Sequence, residues 1–371
     1  MTVPEQVLLA GYTTLGLGGP AARFVEADDD EQIVATVRAA DAEGEPVLVL
    51  GGGSNLVVAD EGFPGTVLHV ASRGVTIAAG DGGVAVTVAA GEDWDTLVRR
   101  CVAEGLSGIE CLSGIPGLAG ATPIQNVGAY GQEVAETIVT VRAYDRLRDK
   151  TVELSNAECG FGYRTSSFKR GGGSGADPAR RAASDPAAAT GRFVVLGVTF
   201  RLGRDPLSAP LRYGELARVF GAGEGARVPL GEARTAVLAL RRGKGMVLDP
   251  ADPDTRSAGS FFTNPVLDAR QFAEVERRAA ARSVTAVPHF SAGDGLVKVP
   301  AAWLIEQAGF AKGYPGNGSA RISAKHTLAL TNPGGASTAG LVGLAREIRD
   351  GVRQAFGVDL VNEPVLVGTG L

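Results

Sequence analysis

Pro46-Val47-Leu48-Val49-Leu50-Gly51-Gly52-Gly53-Ser54-Asn55 decides how this chain folds. Four successive apolar side chains mark a buried strand, and the small residues after them force a sharp turn. Two readings of Gly51 to Asn55 stand. Successive small residues can present their amides to a pyrophosphate, or they can make a tight turn between strands. Upstream, Asp28-Asp29-Asp30-Glu31 opens a helix, with Asp28 and Glu31 at the spacing of a capping box. Ile33, Val34 and Val37 form its apolar face, and Gly44 is its stop. Arg23 to Glu26 precedes it as a short strand. The order is therefore strand, helix, strand, glycine-rich loop. Gly16-Leu17-Gly18-Gly19-Pro20-Ala21 fits the pattern of a dinucleotide fingerprint, but that motif must turn from strand into helix. Here Pro20 leads into a strand, and the match is rejected.

Downstream, Val84 to Ala90 predicts a strand. A helix follows from Asp93, with Trp94, Leu97, Val98 and Val102 on one face. Leu106 to Gly131 is a long glycine-rich loop with little charge, of the kind that usually serves function. It either lines a flat aromatic cofactor with uncharged backbone or is a buried structural loop. Residues 171–190 lack large apolar groups and read as a mobile surface insertion. Phe193 to Phe200 is a strand, 221–230 a linker, and Glu232 to Arg242 a helix. Ala301 to Ala308 and Leu341 to Phe356 are helices, and Val358 to Val367 is strand-like.

The 371 residues suffice for two or three domains. Glycine, at 53 residues, has roughly twice its usual share, in short runs that suit tight turns and close approach to ligands. The net charge of −5 and the absence of basic tracts speak against nucleic acid. Three cysteines without a CxxC pair suggest a reducing cytoplasm. The N-terminus lacks a signal-peptide pattern, and no apolar run reaches membrane-spanning length. No Gly-Lys-Ser or Gly-Lys-Thr forms a phosphate loop, no His/Cys spacing fits zinc, and no Gly-x-Ser-x-Gly elbow stands out.

Three further places carry chemistry-bearing side chains. Phe161-Gly162-Tyr163-Arg164 sets an arginine beside aromatic rings. Ala258-Gly259-Ser260-Phe261-Phe262 sets a hydroxyl between glycine and a bulky pair. Glu363 interrupts an apolar C-terminal run. Taken singly, these read more readily as a surface arginine, a turn serine and a strand-edge glutamate.

Read in order, these segments resemble the UDP-N-acetylenolpyruvoylglucosamine reductase family over nearly the whole chain. The resemblance rests on Thr14-Leu15-Gly16-Leu17-Gly18-Gly19-Pro20-Ala21, Gly51 to Leu56, Gly114-Ile115-Pro116-Gly117 and Gln125-Asn126-Val127-Gly128-Ala129-Tyr130-Gly131. It continues through Phe161 to Arg164, Gly259 to Pro265, Ala302 to Gly309 and Lys325-His326-Thr327-Leu328.

The resemblance implies an α+β FAD-binding fold of the vanillyl-alcohol-oxidase (PCMH) type, followed by a C-terminal α+β substrate-binding domain. The FAD-binding region would span 1–225, as subdomains of about 1–80 and 81–225. The substrate domain would span 226–371, its last strand returning to the active site. FAD would lie on Gly51, Gly52, Gly53, Ser54, Asn55 and Leu56, and on Ile115, Pro116, Gly117, Ala121, Thr122, Gln125, Gly128 and Ala129. NADPH would reduce it and leave, and UDP-N-acetylglucosamine enolpyruvate would enter the same cleft, a ping-pong scheme of cell-wall precursor synthesis.

Arg164 resembles the family's cation for the substrate carboxylate, Glu363 its partner and Ser260 its proton donor. Tyr213 resembles a loop tyrosine over the nucleotide diphosphate, and Lys244 a phosphate-contacting lysine. Tyr163, Asn264 and His326 fall where substrate contacts lie. Asp359 is an alternative to Glu363, since Asn362-Glu363-Pro364 departs from the common pattern. A cytoplasmic monomer is expected, bound to neither nucleic acid nor membrane and holding no metal. The rival readings are a sugar or lactone oxidase on the same flavin fold and a non-catalytic flavin- or nucleotide-binding module.

Overall fold

The computed structural model describes residues 7–80, 82–169, 190–284 and 286–371. The expected insertion at 171–190 lies outside them, apart from Thr190. The opening strand–helix–strand is present as β1 (Ala21–Ala27), α1 (Asp30–Glu43) and β2 (Val47–Leu50). Its cap differs from expectation. Asp29 is extended and its carboxylate accepts the Gln32 amide at 2.8 Å, whereas Asp28 takes only the Gln32 side chain. The cap must stand three residues before the amide it satisfies, so Asp28 is one residue too early. Gly44 ends the helix in the left-handed region at φ 67°.

β3 (Leu56–Val58) follows the glycine loop, and β4 (Phe63–Val70) inserts between β1 and β2, parallel to both. Gly51 to Asn55 is therefore no hairpin, because the strands on either side of it belong to different sheets.

A second, antiparallel sheet runs β8-β7-β9-β6-β5, formed from β5 (Val75–Gly80), β6 (Gly83–Ala89), β7 (Ile138–Asp145), β8 (Lys150–Ser155) and β9 (Phe193–Arg204). α2 (Trp94–Ala103) starts at Asp93, whose side chain accepts the Thr96 amide at 2.8 Å. It buries Trp94, Leu97 and Val98 in the same core as β6 and β9. The Trp94 indole donates to the Leu112 carbonyl at 3.0 Å, which ties the long loop to this core. α3 (Gly214–Val219) and α4 (Leu230–Gly243) pack around Cys111 through Leu216, Ala233 and Val237.

The remaining chain forms β10 (Ser257–Ser260), α5 (Ala269–Ala281), α6 (Ala301–Gln307), β11 (Arg321–Ile322), β12 (Ala329–Thr331), α7 (Thr338–Phe356) and β13 (Val365–Val367). Leu304, Ile305, Leu341, Ile348, Val352 and Phe356 fill its core. The expected strand from Val358 shrinks to Val365–Val367. Pro364 has no amide to donate, and Asn362 bridges Phe262 instead. β13 runs parallel to β3, with Val365 opposite Leu56 and Val367 opposite Val58. Among the described residues no helix is long and apolar enough to cross a membrane.

Candidate active site

Two glycine loops meet backbone to backbone. A Cβ on Gly52 would lie 2.7 Å from Gly117 Cα, and one on Gly117 would lie 2.7 Å from Ser54 Oγ. Gly53 is tighter still: at φ 57°, its Cβ would fall 1.9 Å from the Tyr12 carbonyl oxygen. Ser54 Oγ donates to the Pro116 carbonyl at 2.9 Å, and Asn55 Nδ2 donates to Gln125 Oε1 at 2.8 Å. Among the described residues, none accepts a hydrogen bond from the amides of Gly52, Gly53, Ser54 or Asn55. A run of uncommitted amides on a glycine turn suits an anion, so these residues fit the pyrophosphate end of a dinucleotide. The rejected 16–21 motif has a structural task instead. A Cβ on Gly19 would collide with the Asp60 carbonyl, at 2.0 Å.

Arg164 is held in an unusual conformation by its neighbours. Its φ is 53°, within a turn closed by hydrogen bonds between Gly162 and Thr165. Its Nη2 donates to the Gly128 carbonyl at 2.7 Å, and Asn126 Nδ2 donates to the Gly162 carbonyl at 3.1 Å. The guanidinium is thus anchored to the 125–131 loop, and the turn that carries it is tied to the same loop through Asn126. Gly128 is required for this approach, because a Cβ there would lie 2.9 Å from Arg164 Nη1.

Glu363 arrives from the far end of the chain. The β3–β13 pairing brings it beside Asn55, and the Glu363 amide donates to the Phe261 carbonyl at 2.9 Å. Its Oε1 lies 3.2 Å from Arg164 Nε. Burial raises the Glu363 carboxyl above its ordinary range and outweighs the opposing pull of Arg164 and Lys169. The alternative acid, Asp359, is on the surface and pairs with Arg353 at 3.0 Å.

Ser260 ends β10 opposite Ala329, immediately before Phe261, whose carbonyl takes the Glu363 amide. Thr14 Oγ1 donates to the Ser257 carbonyl at 2.6 Å, and the Thr14 amide to the Gly53 carbonyl at 3.2 Å. One residue of the 14–21 motif therefore clamps the serine strand to the first glycine loop. Asn264 turns its Oδ1 toward the Ala301 amide at 2.9 Å, at the start of α6. Tyr163 packs beneath two cations, Arg164 and Lys298, with Lys298 Nζ 4.0 Å from the ring centre. A cleft of about 1110 Å³ opens at Tyr163, Arg164 and Asn264 and runs along α5. It reaches neither Ser260 nor the glycine loops.

The other predicted substrate residues gather separately. Tyr213 stacks edge-on against Tyr130 at 5.4 Å, and Lys244 Nζ lies 5.6 Å from the Tyr130 ring and 2.5 Å from Glu215 Oε2. Burial, then the cations Lys244, Lys312 and Arg241, push His326 down to about 4. His326 is therefore neutral at pH 7, inside a group of positive charges suited to a diphosphate. Sequence reading overlooked Tyr130, Asn126 and Lys298 as individual site residues, and Arg241 altogether. Tyr130 and Asn126 stood inside a motif already quoted, while nothing near Lys298 or Arg241 singled them out.

Residues 21–155 match the family model described as FAD binding domain. Residues 250–367 match the model described as the C-terminal domain of UDP-N-acetylenolpyruvoylglucosamine reductase. The UDP-N-acetylenolpyruvoylglucosamine reductase of Thermobifida fusca (strain YX) is 58% identical over 371 residues, covering 99% of this chain and 98% of that one. The chain belongs to the UDP-N-acetylenolpyruvoylglucosamine reductase family. The reductase of Streptomyces coelicolor is 57% identical, covering 98% of this chain and 90% of that one. The crystal structure of the reductase from Thermus caldophilus superposes with a TM-score of 0.62 at 25% identity, covering 98% of both chains. As the resemblance implied, the fold is α+β, with an FAD-binding region followed by the reductase family's C-terminal domain.

Proposed function

We propose that this chain reduces UDP-N-acetylglucosamine enolpyruvate to UDP-N-acetylmuramate, with NADPH as reductant and FAD as carrier, in two successive half-reactions. The observation that carries the reading is the Arg164–Glu363 contact at 3.2 Å, built from the middle and the C-terminal end of the chain onto a glycine loop fitted for a dinucleotide. Bound FAD supplies the hydride that goes to the methylene carbon. The remaining tasks fall to side chains. Negative charge grows on C2 and its carboxylate as the hydride arrives. A cation fixed in advance, Arg164, lowers that barrier. Glu363, whose carboxyl burial raises above the ordinary range, shares the same charge as a hydrogen-bond donor in its protonated form. Ser260 passes a proton to C2, completing addition of hydride and proton across the double bond. Gly51 to Leu56, Ile115 to Gly117, Ala121, Thr122, Gln125, Gly128 and Ala129 hold FAD. Tyr163 and Asn264 hold the sugar end, and Tyr213, Lys244 and His326 the diphosphate.

The same reading assigns 1–225 to FAD and 226–371 to the substrate, in a cytoplasmic monomer. A covalently flavinylated sugar oxidase fits less well. The cysteine nearest the flavin loops, Cys111, is buried and its thiol pushed up by that burial.

The test is anaerobic stopped-flow absorbance at the flavin band. NADPH is expected to bleach the purified protein, and UDP-N-acetylglucosamine enolpyruvate to restore the colour stoichiometrically. Bleaching without that recovery rejects the substrate, and a protein that holds no flavin when FAD is supplied rejects the whole scheme.

A further inference from the structure

We infer that Asn126 is a positioning residue for Arg164: it binds the Glu133 carboxylate and so keeps a second acid off the guanidinium. The inference deepens the activity proposed above and rests on it. Its starting point is the crowding around Gly128. Gly128 and Glu133 stand opposite each other in a short antiparallel pairing, Gly128–Ala129 with Gln132–Glu133. The turn between them carries Tyr130 at φ 49° and Gly131 at φ 83°, a left-handed pair that closes a tight hairpin. A Cβ on Gly128 would lie 2.8 Å from Glu133 Cγ and 2.9 Å from Arg164 Nη1. The glutamate and the arginine therefore lie side by side in the slot that the glycine leaves open.

Among the described residues, the acid that pairs with Arg164 is nevertheless Glu363, through Nε at 3.2 Å. Nη2 donates to the Gly128 carbonyl at 2.7 Å and Nη1 to the Asn126 carbonyl at 3.4 Å. A guanidinium has more N–H donors than these contacts use, so a hydrogen on each terminal nitrogen remains for a ligand. Glu133 turns the other way, and its Oε2 accepts from Asn126 Nδ2 at 2.7 Å. The same Nδ2 donates to the Gly162 carbonyl at 3.1 Å, and Asn126 Oδ1 accepts the Ala135 amide at 3.1 Å. Asn126 is 1% exposed, so its amide is saturated and shut away from water. Its φ of 48° is one that asparagine adopts more readily than most residues.

The consequence is electrostatic. A Glu133 carboxylate released by Asn126 would have a cation beside it and would take the remaining hydrogen on Nη1. Such a bond between ions is about twice as strong as a neutral one. Arg164 would then meet the enolpyruvyl carboxylate with its charge already answered and a donor spent. Glu363 competes less, because burial raises its carboxyl above the ordinary range.

Asn126→Gly deletes the side chain and keeps the left-handed turn. In the FAD-loaded protein, stopped flow is expected to show flavin reduction by NADPH within about threefold of the parent. Reoxidation by UDP-N-acetylglucosamine enolpyruvate should slow about tenfold, less than outright loss of a donor to developing charge would cost, since the guanidinium stays but is engaged. Glu133→Gln alone should change little, because its amide oxygen still accepts from Asn126. The double variant decides. With Asn126→Gly and Glu133→Gln together, no carboxylate remains at residue 133 to capture Arg164, and reoxidation should return to within about threefold of the parent. An asparagine that served only the fold would give no such recovery. If the double variant stays as slow as Asn126→Gly, the inference is overturned. It is overturned equally if Asn126→Gly leaves reoxidation unchanged or slows both half-reactions alike. Should Asn126→Gly not retain FAD, Asn126→Asp decides: it keeps the size and repels Glu133, and Glu133→Gln is again expected to restore the rate. A parent protein that NADPH bleaches but this substrate does not reoxidise would instead reject the proposed activity, so the two failures are distinguishable.

Discussion

Arg164, Ser260 and Glu363 lie about two hundred residues apart at the extremes, and each is positioned by backbone more than by its own side chain. For Arg164 the anchor is the Gly128 carbonyl at 2.7 Å. Arg164→Met is expected to leave flavin reduction by NADPH near normal and to slow reduction of the enolpyruvyl substrate at least a hundredfold. The reason is that its charge matters only where negative charge develops. Equal loss in both half-reactions, read by stopped flow, would reject that role. Ser260→Ala should show the same asymmetry, with substrate reduction falling by about 10² to 10⁴, the usual worth of a positioned proton donor. His326 gives a prediction about stability. Its pKa is depressed to about 4, so it contributes stability above the unfolded value near 6.5. That contribution is lost as the pH falls from 6.5 through 4, because the unfolded chain gains a proton that the folded chain refuses. Its full size is on the order of 3 kcal/mol. Chemical denaturation of His326→Gln between pH 4 and 7 should therefore show a flatter acid limb than the parent. A parallel limb would remove His326 as the cause.

At the scale of elements, the glycine loops are legible because their composition leaves few options, and the contacts they make are not. Nothing in Gly51-Gly52-Gly53-Ser54-Asn55 announces that Gly53 sits against Tyr12 or that Gly52 sits against Gly117. Helices with a wide apolar face, such as α7 with Leu344, Ile348, Val352 and Phe356, are readable from period alone. α5 escaped notice because it buries only Val275 and Ala279 among many charges, although Asp268 and Gln271 form a complete capping box. Strand β4 was missed because Phe63-Pro64-Gly65 looks like a turn, yet Gly65 is needed beside the Pro46 carbonyl, where a Cβ would fall at 2.1 Å. The Gly53 contact supports a direct test. Gly53→Ala places a methyl on the Tyr12 carbonyl and strains a residue at φ 57°. Neither neighbour is a flexible side-chain end, so the loop must move. The expected result is a protein that folds, by circular dichroism, but retains FAD at least tenfold less tightly. Unchanged flavin retention would show that the loop's conformation is not what holds the cofactor.

Across the whole molecule, the proposed catalytic group exists only because the chain closes on itself. Sequence could supply Glu363 through a resemblance, but it could not show how residue 363 reaches residue 164. The route is β13 lying parallel to β3, a pairing of three residues with three. Short parallel pairings have no sequence pattern of their own, since Val365-Leu366-Val367 reads as any buried run. The junction nearest the site is the hydrogen bond from the Val365 amide to the Asn55 carbonyl at 2.9 Å, beside a longer one from Asn55 Nδ2 to the Glu363 carbonyl at 3.5 Å; the same Asn55 side chain reaches Gln125. Val365→Pro deletes that donor while keeping an apolar side chain. The loss of one partly buried hydrogen bond should destabilise the fold by about 1 to 3 kcal/mol, since the Asn55 carbonyl is left unanswered. Its functional consequence should be larger than its structural one. The Glu363 carboxyl is held near Arg164 by the backbone on either side of it, the Phe261 bond before and the Asn55 bond after. Releasing one side lets the acid drift from a contact that depends on tenths of an ångström. Substrate reduction should therefore fall at least tenfold at a temperature where the variant is still fully folded, while NADPH oxidation in the first half-reaction changes less than threefold. Parallel decline of both half-reactions with melting temperature would mean that the returning strand merely supports the fold, and that the placement of Glu363 does not depend on it.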